Sequence, residues 1–255
     1  MRGCAARVEL CFANPPAIVR HDGLTKQEGR DCMASATADR GQIRTRDRVR
    51  SLAEVYTHER EVNAMLGLIP DMFPSNIAGV DVKFLEPACG SGNFLEEILR
   101  RKLATIRFSR INSVANYAHR ILRALASIYG VDICAENVAE ARDRLLDVVR
   151  SCYYCDANTI EPTDGFVSAV RAILITNIVR ADMLAQASTT EAIDYRPGLN
   201  GTFVRVWSML DDSASVETAP DLFNQVPQPK RDEVPVHYSQ LAATPEPTLV
   251  SDLLG

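Results

Sequence analysis

The segment from Val80 to Leu103 constrains the fold of this chain more than any other. Val80 to Leu85 is a short apolar run with β-branched residues, which predicts a buried strand. Pro87 closes it, and Ala88-Cys89-Gly90-Ser91-Gly92 makes a tight turn. Asn93 then caps a predicted helix with Phe94, Leu95, Ile98, Leu99 and Leu103 on one face. Strand, glycine turn and helix in that order form the setting in which a nucleotide-binding loop works. Its glycines let the backbone approach a ligand, and the helix start offers N–H groups to polar ligand atoms. Leu95 occupies the position where a dinucleotide loop carries its third glycine, which argues against NAD or FAD.

The neighbouring patterns extend this unit. Val62, Met65, Leu66 and Ile69 have helical spacing, with Thr57 as the expected N-cap and Pro70 as the stop. Residues 104–120 are polar and basic and read as an insertion. Ala126 to Ile133 predicts a second strand, Glu136 to Val149 a helix, and Gly165–Leu174 a further helix leading to a third strand at Asn177–Ala181. Strands alternating with helices predict an α/β fold with a parallel, Rossmann-like sheet.

Charge and proline divide the rest. Residues 1–50 hold ten Lys/Arg against six Asp/Glu, whereas 186–255 hold four against ten and seven of the 13 prolines. The expected organisation is an irregular arm over 1–47, a folded body over 48–185, and a weakly structured acidic tail over 186–255. Within that tail, Ala192–Tyr195 and Thr202–Trp207 are strand candidates joined by a turn at Gly198–Gly201. The first 32 residues follow no helical or strand period, and Met33 is an expected alternative start. Glu9 and Asn14 interrupt any signal-peptide apolar core, and no run approaches ~18 apolar residues, so no membrane span is expected. Seven cysteines in a chain of 255 residues fit a reduced, cytoplasmic compartment.

Two acids follow the glycine turn. Asp132 ends the second predicted strand, where a carboxylate can bind both ribose hydroxyls of a nucleoside; capping the next helix is its plainer role. Asp182 lies just past the third strand, where it can accept from an adenine amine. In an α/β sheet these loops share the carboxyl edge and converge on one crevice. Cys152 and Cys155 have the spacing of half a zinc site without a second pair, and no metal is expected. Cys89 and Cys134 read as small apolar fillers. Arg100, Arg101, Lys102, Arg107, Arg110, Arg120 and Arg123 form a basic cluster, which suits either a solvated helix face or a phosphate-contacting surface.

Phe84-Leu85-Glu86-Pro87-Ala88-Cys89-Gly90-Ser91-Gly92-Asn93-Phe94-Leu95 closely resembles the S-adenosylmethionine-binding motif of amino-directed DNA methyltransferases, chiefly the adenine-specific ones. Glu54-Val55-Tyr56-Thr57-His58 resembles the upstream motif that helps hold the methionine part of that cofactor. Tyr129-Gly130-Val131-Asp132-Ile133, with Asn137 and Ala141-Arg142, is similar to the family's second-strand motif. Asn177 to Asp182 is similar to its adenine-contacting strand. The resemblance spans about residues 48–185, the cofactor-binding half of such enzymes. It implies a class I methyltransferase sheet, methyl transfer to the amino group of adenine in DNA, and a place in a restriction-modification system. By resemblance, Thr57, Glu86, Ala88, Gly90, Gly92, Asp132 and Asp182 line the cofactor pocket.

The same resemblance implies a catalytic Asn-Pro-Pro-Tyr motif, whose polar groups hold the target amine and whose ring stacks on the flipped base. Nothing after Asp182 matches it. The candidate is Asn14-Pro15-Pro16, followed by Ala17 where the aromatic ring belongs. Two further readings therefore stand beside the enzyme: a cofactor-binding subunit that needs a second chain for catalysis and target recognition, and a methyltransferase acting on RNA or a small molecule. Without the family's fourth strand, Val80–Leu85 becomes an apolar sheet edge, to be covered by the tail or by another chain.

Overall fold

The structure is a computed structural model that describes residues 57–74, 77–111, 113–157, 161–210 and 230–250. The chain divides into two compact units, Met1–Tyr56 with Val149–Glu161, and Thr57–Val148 with Pro162–Gly255. The described part of the first is the end of one helix, through Ala157, and Glu161, whose carboxylate accepts from the Tyr154 hydroxyl. The other features below belong to the second. The boundary expected after residue 185 falls inside it.

Three short strands form a parallel sheet in the order β1 (Phe84–Glu86), β2 (Ile128–Asp132), β3 (Ile178–Arg180). Leu85 pairs with Tyr129, and Val131 with Val179. Strand β1 begins at Phe84, not at Val80. The carbonyls of Gly79, Val80 and Val82 all accept from the buried Lys102 ammonium, which draws the backbone away from an extended edge. Ile77–Val80 is accordingly a 3₁₀ turn.

The first helix, α1 (Glu59–Leu66), starts two residues after Thr57; His58 takes the N-cap position, and the helix ends at Gly67, before Pro70. Helix α2 (Asn93–Leu103) buries Leu95, Ile98, Leu99 and Leu103, while Phe94, expected on the same face, is half-buried. Asn93 is its first residue and not its cap. Its side chain donates to the Thr57 carbonyl and accepts from Arg144, so Gly92 precedes the helix.

The insertion expected over 104–120 ends in a helix that begins at Val114. Helix α3 (Val114–Ala126) buries Tyr117, Ala118, Ile121, Leu122 and Leu125, and the Ser113 hydroxyl caps it by accepting from Asn116 N–H. Those apolar positions recur at helical spacing between arginines. Helix α4 (Ala135–Ala157) overruns the expected end at Val149, so Cys152 and Cys155 ride on a helix. Thr163 caps α5 (Asp164–Asn177), which leads into β3. A single turn, α6 (Met183–Gln186), follows.

The described parts of the tail, 186–210 and 230–250, carry more secondary structure than their composition predicts. Strands β4 (Glu191–Pro197) and β5 (Thr202–Met209) pair antiparallel as the expected hairpin, turned through Asn200 and Gly201 at positive φ. Strand β6 (Val236–His237) adds to β5, giving a second sheet in the order β4-β5-β6. The wholly buried Asp232 carboxylate takes the Arg205 guanidinium at 2.9 Å through both oxygens. Arg205 also donates to the Thr244 and Glu246 carbonyls, which fastens residues 230–250 to β5.

The hairpin does not extend the parallel sheet. It meets the body through side chains: Tyr129 donates to the Ile193 carbonyl, Lys83 pairs with Asp194, and His119 hydrogen-bonds the Thr202 carbonyl. Among the described residues, β1 therefore remains an edge, with Leu85 46% exposed. No helix of the described residues is long and apolar enough to cross a membrane.

Candidate functional site

The site is built at the carboxyl end of the parallel sheet. After β1 the chain turns through Gly90 at φ +54° and Gly92 at φ +88°, conformations that side chains with a Cβ rarely adopt. A Cβ on Gly92 would lie 2.9 Å from the Ala141 Cβ, so this glycine lets the loop press against α4. A Cβ on Gly90 would meet nothing within 4 Å, so the backbone there borders open space. Cys89 N–H donates to the Val131 carbonyl at 2.8 Å, which pins the loop over β2. Gly130 matters for the same reason: a Cβ there would come within 2.6 Å of Leu95.

Asp132 is tied directly to that loop. Its Oδ2 accepts from Gly90 N–H at 2.9 Å, and its Oδ1 accepts from Cys134 N–H at 2.8 Å and from the Asn137 carboxamide at 3.2 Å. The plainer role, holding the start of α4, is thus real, and the same carboxylate braces the glycine loop. Glu86 ends β1 half-buried. Burial raises its carboxyl above the usual range, and Ala88 N–H donates to it at 3.4 Å. No cation pairs with Glu86 among the described residues. Asp182 accepts from Leu184 and Ala185 N–H, which starts α6. Ala181 N–H donates to the Asp132 carbonyl, joining the loops after β2 and β3. Thr57 stands beside the start of α2 through its carbonyl bond from Asn93.

The structure therefore brings Glu86, Ala88, Gly90, Gly92, Asp132 and Asp182 to one edge, with Thr57 linked to it through Asn93. Asn14, Pro15 and Pro16 lie outside the described residues. Three further residues stand at this edge. Asn137 is buried behind Asp132, and Ile133 and Leu184 are exposed, 55% and 100%, on the loops after β2 and β3. Asn137 lies in the segment similar to the family's second-strand motif, which gave it no role of its own. Exposed Ile and Leu at strand ends carry no sequence signal of a site.

The cysteines differ. Burial pushes the Cys89 thiol up to about 12, which suits a packing residue and not a nucleophile. Cys134 is half-exposed, with its thiol 2.8 Å from Glu136, so it is no core filler. The basic cluster is largely spent inside the molecule: Arg100 pairs with Glu96, Arg101 with Glu97, Arg123 with Asp81, and Lys102 is buried.

No family model matches this chain, no curated protein matches it, and no solved structure matches it.

Proposed function

We propose that the carboxyl edge of the parallel sheet binds S-adenosylmethionine, and that the chain is the cofactor-binding part of an amino-directed, adenine-specific DNA methyltransferase with a Rossmann-like class I sheet. The observation that carries the reading is the join between the glycine loop and Asp132: open space beside Gly90, and a carboxylate bonded to that same residue. The donor set fits the cofactor. Asp132 suits a ribose hydroxyl, and Glu86, half-buried without a cation among the described residues, suits an ammonium group. Ile133 and Leu184 offer apolar surface to a planar base, and the Asp182 carboxylate accepts from the Leu184 N–H. The cofactor, when bound, supplies an electrophilic methyl group on a sulfonium. The protein's part is then to orient cofactor and amine and to exclude water, since in-line displacement depends chiefly on positioning.

A second reading has its own support. Strand β1 is the edge of the parallel sheet among the described residues, and its Leu85 is half-exposed. A cofactor-binding subunit that is completed by a second chain, carrying the catalytic motif and target recognition, accounts for that edge. Tritium transfer from labelled cofactor to unmethylated DNA separates the two readings. Transfer by the chain alone supports the complete enzyme, and transfer only when a neighbouring gene product is added supports the subunit. Transfer to RNA or a small molecule, with none to DNA, would overturn the DNA assignment.

A further inference from the structure

We draw no further inference here: the strongest candidate, the run of exposed apolar side chains Met65, Leu68, Ile69 and Met72 at and just beyond the carboxyl end of α1, carries none because nothing among the described residues shows what covers it.

Discussion

Gly90 and Gly92 both hold positive φ, yet a side chain at each would meet different surroundings. Gly92→Ala forces both backbone strain and contact with Ala141, and should cost about 1–3 kcal/mol of stability. Gly90→Ala meets only the strain, about 1 kcal/mol, because the space beside it is open. Its Cβ would stand where a ligand approaches, so binding should fall more than stability does. Urea unfolding and ligand titration on both variants check this contrast. His119 gives a pH prediction. Burial, with Arg123 adding to it, lowers its imidazole to about 4 from an ordinary 6.5, and its Nε2 hydrogen-bonds the Thr202 carbonyl. The unfolded chain takes up this proton below pH ~6.5 and the folded one only near 4, so stability should fall as pH drops through that window. The contribution is about 3 kcal/mol by the usual conversion of a pKa difference. His119→Gln should flatten that dependence in denaturant midpoints measured from pH 7 to pH 4.5. At this scale the sequence displayed the residue types at the carboxyl edge but not their bonds. Asp132 and Asp182 could be located at strand ends, whereas the bond from Gly90 N–H to Asp132 depends on how the loop folds back.

Among the elements, β1 and α3 show why a linear pattern misleads. The apolar run Val80–Leu85 has strand composition, but a lysine some twenty residues away, on α2, claims two of its carbonyls and that of Gly79 before it. Only three residues remain for the sheet. Helix α3 hides behind arginines that decorate its outer side, although its buried stripe has regular helical spacing. The hairpin was legible, because alternating β-branched and aromatic residues flanked a glycine turn. Its attachment to residues 230–250 was not, since a buried Arg205–Asp232 pair joins positions 27 apart. Removing one partner of a buried pair leaves an uncompensated charge, so Asp232→Ala should destabilise by about 3–5 kcal/mol. Hydrogen exchange should show protection lost first over 230–250. Loss spread evenly across the parallel sheet would contradict the local role assigned to this pair.

For the described part of the chain, the two sheets have different duties. The parallel sheet presents the glycine loop and the acids, while the β4-β5-β6 sheet meets it through Tyr129, His119 and Lys83 and leaves β1 at an edge. A mixed α/β body with a parallel sheet was readable from alternating strand and helix patterns. The second sheet was harder to read, because a proline-rich acidic composition concealed its packing. The cofactor assignment, on which the enzyme and subunit readings both depend, is tested most directly by calorimetric titration of S-adenosylmethionine into the wild type and into Asp132→Ala, with the variant's fold checked by circular dichroism. Saturable one-to-one binding by the wild type and at least about tenfold weaker binding by the variant are expected. No binding by the wild type, or equal binding by both, would contradict it.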